Sequence, residues 1–66
     1  MPLDFEKIKR LREERGLSLQ AAAEKAGIGD RQRWHAIESG RITNVKLDTL
    51  EAIAGALGVK AKDLLK

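Results

Sequence analysis

The sequence predicts an all-α fold, a compact bundle of four to five short helices, and three observations carry that prediction. Apolar residues recur at intervals of three and four in separate stretches: Phe5, Ile8 and Leu11; Leu19, Ala22, Ala23 and Ala26; Trp34 and Ile37; Leu47, Leu50, Ile53, Ala54 and Leu57. That spacing lines one face of a helix in each case. Gly16, Gly27, Gly40 and Gly58 stand shortly after the four stretches, where glycine commonly stops a helix. No stretch alternates apolar and polar residues as a half-buried strand does.

The first helix is expected from about Asp4 to Arg15, with Arg12 at the edge of its apolar face. Ser18 is placed to cap the second by accepting a hydrogen bond from a free backbone N–H. Alanines on the contact face of that helix let the next helix approach closely. The third helix opens on Asp30, a good N-cap, and its only apolar ridge is Trp34 and Ile37, so its other positions are expected to point outward. Arg41 to Lys46 forms a polar loop. The fourth helix, ending at Gly58, is strongly amphipathic. Val59, Asp63, Leu64 and Leu65 predict one last helical turn folded back on the bundle.

Sixty-six residues leave room for one small domain, 1–66, whose core alone confers modest stability and which therefore favours a partner subunit. Without cysteine there is neither a disulfide nor a thiolate metal site, and the single His35 builds no metal site on its own. No metal or cofactor is expected. The N-terminus is charged from Asp4 onward and no apolar run reaches membrane-spanning length, so the chain reads as soluble and cytoplasmic, without a membrane partner. There is no nucleophile–base pairing, carboxylate cluster or phosphate loop, which argues against an enzyme.

Thirteen basic residues against ten acidic give a net charge of +3 and a pI near 9.6, a balance that favours a polyanionic partner. Its distribution is more telling. From Gly29 to Lys46, Arg31, Arg33, Arg41 and Lys46 stand against Asp30 and Glu38, in a window also rich in Gln32, His35, Thr43 and Asn44. From Leu47 onward Lys60, Lys62 and Lys66 offset Asp48, Glu51 and Asp63.

Four stretches taken in order resemble the lambda-repressor-like family, the Cro/Xre-type helix-turn-helix regulators. Ile8 to Ser18, IKRLREERGLS, is similar to the family's first helix and the approach to the second, and Ala22 to Ile28, AAEKAGI, to the second helix and its turn. Ile37 to Gly40, IESG, and Leu47 to Val59, LDTLEAIAGALGV, match the end of the third helix and all of the fourth. The helix-turn-helix then spans about residues 18–40. Three features depart from the family. Gly29 reads as an inserted turn residue; Leu19 stands where many members have a glutamine that holds the DNA backbone, part of which role Gln20 is expected to take; and Val45-Lys46 replaces a proline followed by a small hydroxyl residue, leaving Thr43 or Asn44 to cap the fourth helix.

The resemblance implies that the third helix enters the major groove of double-stranded DNA. With Trp34 and Ile37 inward, together with Ala23 as core anchors, Arg31, Gln32 and Ala36 fall at base-reading positions. Arginine pairs bidentately with guanine, glutamine with adenine, and an alanine methyl touches the thymine methyl. Outside a DNA-binding context Arg31 and Gln32 would be ordinary solvated residues. Trp34 has the alternative of stacking on a base, but its place on an apolar face assigns it to the core, where its indole N–H needs an acceptor. Backbone contacts are expected from Gln20, Arg41, Thr43, Asn44 and Lys46; Arg33 and His35 flank the groove, with phosphate contact or simple surface exposure as their alternatives. The family also implies a structural ion pair between Arg12 and Glu38.

The resulting expectation is a sequence-specific regulator acting as a homodimer on a palindromic operator, with the dimer surface at Val59–Lys66 and the end of the fourth helix, and with no small-molecule effector evident. The competing reading is a protein-interaction module, antitoxin-like or an adaptor, that kept the fold and lost DNA readout.

Overall fold

Asp4 starts the first helix, its carboxylate accepting the Lys7 N–H at 3.2 Å, and the helix α1 runs Phe5–Glu14. In the computed structural model, which describes residues 3–42 and 44–66, it is followed by α2 (Leu19–Ala26), α3 (Arg31–Glu38), α4 (Leu47–Leu57) and a single 3-10 turn, Ala61–Leu64. The domain is compact and all-α, with four α-helices and that turn among the described residues.

Each of the first three helices has a carboxylate or hydroxyl at its start. Ser18 Oγ accepts the Ala21 N–H at 3.0 Å and Asp30 Oδ1 the Arg33 N–H at 2.8 Å, satisfying donors that the helix cannot use internally. The fourth differs. Its N-cap is Lys46, which makes no side-chain cap bond. Asn44 therefore does not cap α4 as expected; it lies two residues too early. Thr43, the other candidate, lies outside the described residues.

Ile8 and Leu11 of α1, Ala22 and Ala23 of α2, Trp34 and Ile37 of α3, and Leu50, Ile53, Ala54, Ala56 and Leu57 of α4 form one core. Ala22 and Ala23 have no solvent exposure, and α2 packs mainly on α3 and α4; their single methyl groups allow that close approach. Leu47 is a correction: it has the spacing of the α4 core face but is 66% exposed. It occupies the first residue of the helix, one turn beyond where the bundle ends.

The turn from α2 to α3 absorbs the residue read as an insertion. Gly27 leaves α2 in the left-handed conformation and Ile28 donates its N–H to the Ala23 carbonyl at 3.1 Å. Gly29 then adopts φ +100 in open space, a backbone conformation that a side chain would strain. Trp34 and Ile37 still reach the core, at 1% and 2% exposure.

The two ends of the described chain clasp each other. Leu3 and Leu65 form an isolated antiparallel bridge and Asp4 donates its N–H to the Leu64 carbonyl at 2.8 Å. Leu64 is fully buried, and Val59, Ala61 and Leu65 pack against the core. The segment expected to form a dimer surface thus turns its apolar side chains onto its own chain. A tail this short closes a small core that α1 and α4 leave open. Among the described residues, no helix is long and apolar enough to cross a membrane.

Candidate nucleic-acid interface

Capped by Asp30, α3 presents Arg31, Gln32, Arg33 and His35 to solvent. None of these four side chains makes a hydrogen bond or ion pair among the described residues. Arg31, Gln32 and His35 line a shallow depression of about 510 Å³ together with Leu19, from the first turn of α2, and Arg41, just past α3. His35 also borders a smaller hollow of about 160 Å³ with Lys9, Glu38 and Ser39. One concave surface therefore gathers cationic and amide donors from α3 and the segment after it, with a leucine beside them.

Other candidates lie elsewhere. Arg33 is exposed but outside the depression, and Ala36 is half-buried and also outside it. Gln20 is exposed and its amide donates to Glu24 Oε2 at 3.2 Å along its own helix, so it does not extend toward the depression. Asn44 and Lys46 are exposed in the segment leading into α4. Thr43 falls outside the described residues.

What steadies α3 is a buried carboxylate. Glu38 is 9% exposed, which corrects the expectation from periodicity that positions other than Trp34 and Ile37 face outward. Arg12 reaches across from α1 and donates twice, Nε to Oε2 at 2.8 Å and Nη2 to Oε1 at 3.0 Å. Trp34 Nε1 donates to the same Oε2 at 2.7 Å. The third Arg12 nitrogen, Nη1, donates to the Leu17 carbonyl at 2.8 Å, tying in the corner between α1 and α2. No buried side-chain nitrogen or oxygen is left without a partner among the described residues.

Burial pushes the Glu38 carboxyl up, but hydrogen bonds from Arg12 and Trp34 and the positive charges of Arg12 and Lys9 outweigh it, so the group is held below its ordinary range. The Arg12 guanidinium is correspondingly raised, chiefly by its hydrogen bond to Glu38 against the cost of desolvation. Both stay charged at neutral pH. The Trp34–Glu38 bond was within reach of the sequence: an indole needing an acceptor and a glutamate four residues on share a helix face. Leu19 in the depression was not, because it depends on how α2 and α3 cross.

Among the described residues no group of three or more His, Asp or Glu side chains is placed to hold a metal ion. The corner of α2 and α3, with an anchored inner face and a cationic outer face on the second helix, defines a helix-turn-helix domain. The family described as "Helix-turn-helix domain" matches residues 6–65, and the chain belongs to it. No curated protein matches the chain. Membership points to DNA as the partner and to a class of domain that is typically not enzymatic.

Proposed function

We propose that this chain is a sequence-specific regulator of the lambda-repressor-like, Cro/Xre-type kind, a single unit over 1–66 that binds double-stranded DNA with α3 in the major groove, in the cytoplasm at the nucleoid. The observation that carries the reading is the division of α3 into a locked inner face and an outer face whose donors have no partner among the described residues. Arg31 reads guanine and Gln32 adenine by paired hydrogen bonds. Arg33, His35, Arg41, Thr43, Asn44, Lys46 and Gln20 hold phosphates and set register. A homodimer on a palindromic operator sets half-sites about 34 Å apart.

Ile42 and Leu47, exposed on either side of the loop into α4, favour a second reading, a protein-interaction module. Selection of bound sequences from a random duplex pool, followed by affinity against salt, separates the two. The DNA reading predicts an enriched site and a linear fall of log affinity with log salt. No enrichment with salt-independent binding sinks it. On the selected site, Arg31→Ala is expected to cost about 1–3 kcal/mol, concentrated at one base pair. Lys46→Ala weakens all sequences alike and reduces the salt slope by about one.

A further inference from the structure

We propose that Leu19 is a specificity-determining residue that contacts the C5 methyl group of a thymine in each half-site, a role that the position of Ala36 in its helix would otherwise suggest for Ala36. The inference rests on the DNA reading above. Leu19 is half-buried and lines the same depression as Arg31, Gln32, His35 and Arg41, whereas Ala36 is half-buried outside it. Part of the Leu19 side chain packs against the core; the part left exposed, among two guanidinium groups, an amide and an imidazole, gains nothing from water and gains from a partner surface that sets an apolar group beside hydrogen-bond acceptors. The major-groove edge of an A·T pair has that make-up, with the thymine methyl next to O4 and the adenine N7 close by. Leucine also carries its terminal methyls further from the backbone than alanine does. The residue sits on α2, so the second helix contributes to base selection as well as to phosphate contact.

Replacing each thymine of the selected half-site in turn by deoxyuridine removes only the C5 methyl and leaves every hydrogen-bonding atom in place. With the full-length wild-type chain, titrated by fluorescence anisotropy, one position per half-site is expected to lose about fourfold in affinity, the worth of one buried methyl. In Leu19→Ala that penalty falls to about onefold while deoxyuridine effects at other thymines stay as they were. Leu19→Gln, which keeps the length of the side chain over the half-buried site, gives the same loss of methyl discrimination; thermal melts establish that both variants are folded. A wild-type chain indifferent to deoxyuridine at every position overturns the inference, as does a selected half-site without thymine. A methyl penalty that survives both Leu19 variants and disappears in Ala36→Gly returns the contact to Ala36. Failure to enrich any sequence is a different result, which removes the DNA reading itself and this inference with it.

Discussion

Glu38 at the end of α3 and Lys46 at the start of α4 lie on either side of one short loop and are held on opposite terms. Glu38 is buried and accepts three hydrogen bonds, two from Arg12 and one from Trp34. Lys46 is exposed, caps its helix without a side-chain bond, and precedes a leucine that is mostly in water. The first arrangement fixes α3 in direction and register, since a bidentate guanidinium–carboxylate pair tolerates little displacement. The second leaves the start of α4 without a side-chain cap bond among the described residues. A helix that reads base edges needs the first; a segment that follows a phosphate backbone works with the second.

The contrast breaks most visibly at Glu38. Glu38→Ala leaves Arg12 charged and half-enclosed and the indole N–H without its acceptor, and is expected to cost about 3–5 kcal/mol in urea unfolding, as for removal of one partner of a buried pair. That is a large part of the stability of a small domain. A loss below about 1 kcal/mol would mean that the pair is no more than a surface contact. Because the Glu38 carboxyl is lowered in the folded state, its stabilisation is fully present above the ordinary glutamate value and is lost as pH falls through the lower folded value. Unfolding free energies measured across the acid range should decline more steeply for the wild type than for Glu38→Gln.

Trp34→Phe keeps most of the buried ring and removes the donor to Glu38. About 1–3 kcal/mol is expected from the unmet hydrogen bond, with Arg12 still in place. Asp30→Ala removes the cap of α3 and is expected to cost about 1 kcal/mol in thermal unfolding. Since Arg31 and Gln32 sit in that first turn, base discrimination on the selected site should weaken along with it. Leu47→Lys lies at the other extreme, within about 0.5 kcal/mol of the wild type, as a surface change should be. A larger loss would show that Leu47 is covered in solution, by a second copy or another protein.

Much of the fold was legible because its signals are local. Ser18 and Asp30 cap helices by bonds that span three residues, and Gly27 and Gly58 end helices in the left-handed conformation. The inward face of α3 followed from two residues, Trp34 and Ile37. The same reasoning misplaced Glu38, because periodicity ranks a carboxylate as polar and does not see that an arginine twenty-six positions earlier meets it. The pairing came instead from the resemblance to a family. Leu47 failed for the converse reason: its spacing is right, but a face is only buried where another element lies over it.

The candidate site divides along the same line. That Arg31, Gln32 and His35 share the outer face of one helix is a consequence of their spacing. That Leu19 and Arg41 join them and that the C-terminal turn clasps Leu3 instead of lying open are settled by how distant segments pack, whereas the turn of Gln20 toward Glu24 is local to α2. The amino-acid sequence alone determined the helices, the caps of α2 and α3 and most of the apolar faces, since these depend on neighbours within about one turn of the chain. Only the tertiary structure decided which polar group is buried, which leucine stays wet and which residues of different helices share a surface, because those outcomes depend on contacts between segments far apart in the chain.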